Sequence, residues 1–87
     1  MSRRLAWDRR ARDELAAIAR RDPRAAGRIR DAVARYADQE RGDVLKLTGR
    51  EAIYRLRVGD WRVLFTIEDD DGVLLILRVL NRRDAYR

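Results

Sequence analysis

Three arginines, Arg55, Arg57 and Arg62, punctuate the stretch "YRLRVGDWRVLF" at residues 54–65. Large apolar residues fill the places between them, on both sides of the pair Gly59-Asp60. A guanidinium is planar, presents its N–H donors in a rigid fork and stays charged at any working pH. Several on one surface would bind phosphate, or stabilise negative charge as it develops on phosphorus. They would move protons poorly, because guanidinium does not give one up near neutrality.

What must position these arginines is a β-hairpin, since apolar and charged residues alternate about a tight turn. With Gly59-Asp60 as the whole loop, Val58 faces Trp61, Leu56 faces Val63 and Tyr54 faces Phe65. Those side chains share one side of the sheet, because cross-strand partners point the same way. The other side carries Arg57 opposite Arg62, with Arg55 diagonal to it. Like charges placed directly opposite are mildly unfavourable, so stability alone does not select that pair.

A second turn, "EDDDG" with Gly72, leads into "VLLILRVLN". Taken as a three-residue loop, 70–72 sets Ile67 against Leu75, Phe65 against Leu77 and Val63 against Val79. Arg78 then lies on the open face beside Leu64, Leu80 lies beside Arg62, and Arg82 continues on that side. A four-residue loop would bury Arg78 against Val63, which favours the shorter one. The expected open face holds Arg55, Arg57, Arg62, Arg78 and Arg82, interleaved with Ile53, Leu64, Ile76 and Leu80. It admits three readings: a phosphate-binding surface, a docking site for a protein, or the wet side of a sheet in an arginine-rich chain.

The rest of the chain supplies the support. Residues 3–7 alternate and predict a short first strand, with Asp8 as a helix N-cap. Ala11, Leu15, Ile18 and Ala19 recur at helical spacing up to about Arg21. Asp22-Pro23 stops that helix and starts the next, because proline fits a first helical turn. Ala26, Ile29, Val33, Tyr36 and Ala37 form its buried stripe, which ends near Arg41-Gly42. Residues 43–51, "DVLKLTGRE", read as a link. The order is β-α-α-β-β-β, an α+β domain with a helical hairpin packed on one face of an antiparallel sheet. Tyr36, Tyr54, Trp61 and Phe65 read as packing residues.

The 87 residues suit one domain, 1–87, with a modest core. No run approaches the roughly 18 apolar residues of a membrane span, and no apolar stretch follows the N-terminal arginines, so a cytoplasmic protein is expected. There is no cysteine, hence no disulfide or thiolate chemistry, and no histidine. Lys+Arg is 21 against 15 Asp+Glu, a net charge of +6, and Lys46 is the one lysine. That balance favours nucleic acid or an acidic protein as partner. Lys46 either assists with phosphate or closes the link. The acidic run 68–71 reads as a solvated turn, so neither a metal nor another cofactor is expected.

"KLTG", "YRLRVGDWRVLF", "EDDDG" and the terminal "VLNRRDAYR" together resemble the RelE/ParE toxin superfamily of bacterial type II toxin–antitoxin systems. The likeness covers the whole chain and is nearest to the RelE branch. It implies a RelE-like fold and a toxin that stops translation by cutting mRNA in the ribosomal A site, without a metal. It also implies a cognate antitoxin that wraps the toxin, which alone would be monomeric. Carried over by motif, catalysis falls to Arg62, Arg82, Tyr86 and Arg57, and RNA binding to Arg55 and Arg57. Arg78 and Lys46 extend the basic surface, while Leu64, Ile76 and Leu80 are the apolar contacts for the antitoxin.

With no histidine, Tyr86 is the proton carrier left at that end of the sheet; the alternative is an aromatic that only closes over the core. Two departures from the family pattern bear on activity. Some relatives have lysines at positions 55 and 57, and many have histidine where Asn81 stands. A gyrase-inhibiting toxin of the ParE kind, or a degenerate toxin that only binds antitoxin or nucleic acid, are the competing readings.

Overall fold

The computed structural model describes residues 2–47, 52–68 and 72–85. In chain order these form β1 (Arg4–Trp7), α1 (Arg9–Arg21), α2 (Pro23–Gln39), β2 (Asp43–Lys46), β3 (Ile53–Val58), β4 (Trp61–Glu68), β5 (Val73–Asn81) and one helical turn, α3 (Arg82–Ala85). The helices begin where the sequence predicts. The Asp8 carboxylate accepts the Arg10 N–H at 3.1 Å. Asp22 serves both helices: its N–H closes α1 on the Ile18 carbonyl, and its carboxylate opens α2 by accepting the Ala25 N–H, with Pro23 in the first turn. Among the described residues no helix is long and apolar enough to cross a membrane.

The sheet order is β1-β5-β4-β3-β2, with β1 parallel to β5 and the other neighbours antiparallel. Both helices cover one face. Ala11 and Ile18 of α1, and Ala25, Ala26, Ile29 and Val33 of α2, pack on Leu56, Val63, Phe65, Leu74, Ile76 and Val79. Phe65 stacks on Tyr54 at 5.4 Å between ring centroids and meets Tyr36 at 5.2 Å. These aromatics are packing residues, as the sequence indicates. For Tyr36, burial and then the charge of Glu40 push the phenol pKa up.

Two elements were not foreseen. Asp43–Lys46, read as a link, is an edge strand whose Val44 faces Leu56. Four residues with one half-buried apolar side chain show no usable period. The other is α3, a single turn immediately after β5.

The β3–β4 register is the expected one: Val58↔Trp61, Leu56↔Val63, Tyr54↔Phe65 and Arg57↔Arg62. Between β4 and β5, Arg62↔Leu80, Leu64↔Arg78 and Val63↔Val79 also hold. Past Leu64 the ladder slips, and the partners become Phe65↔Ile76, Thr66↔Leu75, Ile67↔Leu74 and Glu68↔Val73. Four residues, 69–72, therefore separate the paired Glu68 and Val73, and 69–71 lie outside the described residues. A β-bulge then inserts Leu77, so that Leu77 and Arg78 together oppose Leu64. The longer turn by itself would press Arg78 against Val63, and the bulge moves it off. The cost of the sequence reading is Ile76. It was expected on the open face, but it is fully buried under the helices, while Leu75 takes an open-side position.

Gly72 closes this turn at φ 69°, and a Cβ there would lie 2.9–3.0 Å from the Arg3 side chain. Arg3 is itself tied by an ion pair to Glu40 and by its N–H to the Ala37 carbonyl. Gly72→Ala is expected to destabilise by about 1–2 kcal/mol, the cost of a left-handed backbone with a Cβ. Gly27→Ala is the control, since it meets nothing within 4 Å and sits inside α2. It should stabilise by about 0.5–1 kcal/mol through helix propensity. Urea midpoints of the two variants should move in opposite directions.

Candidate anion-binding face

The register sorts the uncovered face into rows across the strands. One row is Asp43–Arg57–Arg62–Leu80 and the next is Leu45–Arg55–Leu64–Arg78. A third, Ile53–Thr66–Leu75–Ala6, is apolar apart from one hydroxyl. Charge is thus gathered at the end of the sheet that carries the Gly59-Asp60 turn.

Arg62 lies at the centre of that end, on the middle strand, and only 4% of it is exposed. Its Nη1 donates to the carbonyls of Gly59 (2.9 Å) and Trp61 (3.0 Å). Among the described residues its Nε has no hydrogen-bond partner and no carboxylate stands within ion-pair distance. A buried cation held by carbonyls alone is costly. The same turn also fixes Arg82, whose backbone N–H donates to the Asp60 carbonyl at 2.8 Å. The turn residues therefore hold Arg62 through Gly59 and the start of α3 through Asp60. The side chains of Arg57 and Arg82 are exposed beside this centre.

The remaining candidates divide. Arg55 is largely covered and pairs with Asp43 at 3.9 Å, a partner contributed by the unforeseen strand β2. Leu64 and Leu80 are half-buried on the open face, as expected. Ile76 is in the core and leaves that group. Arg78 is occupied elsewhere: its Nε and Nη2 fork onto the Glu14 carboxylate of α1 at 2.9–3.2 Å. That hydrogen bond, before any other cause, raises the Arg78 pKa further above its ordinary value. The guanidinium expected to bind RNA is thus engaged by a carboxylate of α1.

Lys46 faces Tyr54 across the ladder, which puts it on the helix side of the sheet and apart from the arginines. Tyr86 lies outside the described residues. Among the described residues no three acidic side chains gather as a metal-ligand set. Sequence reasoning missed Glu14, whose partners lie 64 and 65 residues away, and nothing local separates it from its neighbour Asp13.

A helical hairpin on one face of a five-stranded sheet, with arginines massed on the other, is the arrangement that the resemblance to RelE/ParE toxins implies. Known proteins agree. Residues 5–86 match the family model described as the ParE toxin of the type II toxin–antitoxin system, parDE. The chain belongs to that ParE toxin family.

RelE1 of Methanocaldococcus jannaschii is 33% identical over 49 residues, 56% of this chain and 54% of that protein. The chain thus spans about half the length of the curated relative it matches. Among solved structures, the YoeB/ParE toxin from Agrobacterium tumefaciens superposes with a TM-score of 0.77 at 18% identity, covering 90% of this chain and 96% of that one. The toxin–antitoxin complex RelBE2 from Mycobacterium tuberculosis gives 0.76 at 22%, covering 94% and 93%. The archaeal RelE–RelB complex from Pyrococcus horikoshii gives 0.65 at 28%, covering 94% and 97%.

Proposed function

We propose that this protein inhibits translation by cleaving mRNA on the ribosome, with Arg62 as the fixed cation at the scissile phosphate. The observation that carries the reading is the state of Arg62: a nearly buried guanidinium, aimed by two backbone carbonyls and without a carboxylate among the described residues. In metal-independent cleavage the 2′-hydroxyl gives up its proton to solvent as its oxygen bonds to phosphorus, negative charge builds on the phosphoryl oxygens, and the P–O5′ bond breaks as the 5′-oxygen takes up a proton, leaving a 2′,3′-cyclic phosphate. Arg62 and Arg82 stabilise that charge, a preorganised arrangement that is usually the largest catalytic contribution. Arg57 and Arg55 hold the flanking phosphates. Tyr86 protonates the leaving oxygen, a role that rests on the family motif. The ribosome supplies alignment of the mRNA, which by itself removes much of a barrier.

In this reading the toxin is cytoplasmic and monomeric alone. It is neutralised by an antitoxin that is acidic toward the arginines and apolar toward Leu64 and Leu80, forming a hetero-oligomer. Related structures determined as RelE–RelB and RelBE2 complexes support such a partner.

The test is primer extension on a defined mRNA with purified ribosomes. Wild type should cut at A-site codons, and Arg82→Ala and Tyr86→Phe should each cut at least about tenfold more slowly at unchanged ribosome affinity, the loss expected for one charge-stabilising or proton-transferring group. Binding without cutting by the wild type would end the nuclease reading. The match of residues 5–86 to the ParE family model favours DNA gyrase as the second target. Inhibition of gyrase supercoiling by a chain that leaves mRNA intact would establish it.

A further inference from the structure

Strand β1 leaves β5 early. Its last partner is Ile76, opposite Trp7, and Asp8 then places its N–H on the Ile76 carbonyl at 2.8 Å before α1 begins. From there β5 continues to Asn81 with a strand neighbour, β4, on one side only. The Val79 N–H would be left unpaired at this vacated edge, in a residue that is itself 3% exposed. Glu14 takes that place. Its Oε1 accepts the Val79 N–H at 2.9 Å, while Arg78 grips the same carboxylate through Nε and Nη2.

We infer that Glu14 substitutes for a strand along the exposed edge of β5 and is a positioning residue for Arg82. A carboxylate oxygen supplies the acceptor that a neighbouring carbonyl would have supplied, and the Arg78 fork fixes its direction. Val79 is three residues before Arg82, and Leu80 and Asn81 between them pair with Arg62 and Trp61. The placement of Arg82 relative to Arg62 therefore depends on how firmly the end of β5 is held. A strand end bonded on one side only would fray from its terminus, and the start of α3 would go with it. Glu14 and Arg82 also line one cleft, with Trp61 and Val79 in its wall. Arg78 thereby acts as a strut for Glu14.

The activity consequence rests on the ribonuclease reading, whereas the structural consequence does not. Amide hydrogen exchange on the full chain reads the second directly. Glu14→Ala should speed exchange at Val79, and at the Arg82 N–H bonded to Asp60, by about tenfold each, the loss of one charge-assisted hydrogen bond. Glu14→Gln keeps an acceptor oxygen and should stay within about threefold of wild type at both amides, since only the charge is removed. The charge swap Glu14→Arg with Arg78→Glu restores opposite signs but offers Val79 only donors, so it should behave like Glu14→Ala.

In the ribosome assay, Glu14→Ala should lower the cutting rate about tenfold with ribosome affinity unchanged, the split expected of a mispositioned transition-state contact. Unaltered exchange at Val79 in Glu14→Ala would overturn the inference. So would acceleration at Val79 that stops short of Arg82, or rescue by the charge swap, which would reduce Glu14 to an ion-pair partner. A wild type that never cuts would defeat the ribonuclease reading alone, and the two amides would still decide the role of Glu14.

Discussion

Arg62→Met is expected to slow mRNA cutting on the ribosome by about 100-fold or more, the loss seen when one preorganised donor to a developing oxyanion is removed. The same variant should be as stable as wild type, or more so. Methionine fills the volume of the arginine stem without a charge. Arg62 is 4% exposed, its Nε is unpartnered among the described residues, and its Nη1 bonds go to backbone carbonyls at a turn. Replacing a buried, poorly compensated charge by an apolar isostere is often neutral or favourable. A simultaneous gain in Tm and loss of cutting is the signature of a residue kept for chemistry at a cost to stability. A fall in Tm of several degrees would instead make Arg62 a structural pin for the Gly59-Asp60 turn, and the catalytic assignment would pass to Arg57 and Arg82.

The second large effect concerns the β-bulge. Ile76→Ala should destabilise by about 2–5 kcal/mol, the range for emptying a fully buried aliphatic site. Ile76 is completely inaccessible and faces Phe65 across the ladder. The neighbouring Leu77→Ala and Leu80→Ala, at half-buried positions, should cost about 1 kcal/mol or less, as for partly exposed side chains. Urea unfolding monitored by tryptophan fluorescence would separate them. In the unbulged register the ranking of Ile76 and Leu77 is reversed, with Leu77 facing Phe65. A costly Leu77→Ala would therefore reject the bulge.

The contrast between Arg62 and Ile76 shows what this sequence makes legible. The β3–β4 hairpin was readable because Gly59-Asp60 fixes a two-residue loop, and strict alternation on both sides admits one parity. Arg57 and Arg62 therefore stand opposite each other in the sequence pattern as they do in the structure. The third strand offers no such handle. "VLLIL" is apolar at each of five successive positions, so neither face is marked and register has to be inferred from the turn. The turn carries one more residue than supposed, and Leu77 cancels the difference, so the pairings nearest the arginines survived and Ile76 did not. Two other features lay beyond reach for different reasons. Asp43 acquires meaning only because a four-residue strand brings it beside Arg55, and Glu14 only because β1 ends where it does.

Leu77 also bears on how relatives of this chain are to be aligned. A homologue lacking that one residue keeps Arg62↔Leu80, Leu64↔Arg78, Phe65↔Ile76 and Ile67↔Leu74 together, because the ladder on each side of the bulge is regular. One-residue length differences between sequences therefore belong inside β5, in the middle of an apolar run. The acidic turn, where a gap is conventionally placed, is the wrong address. Moving the gap there misnumbers the core side chains 74 and 76 by one, and a buried isoleucine is then scored as a surface contact.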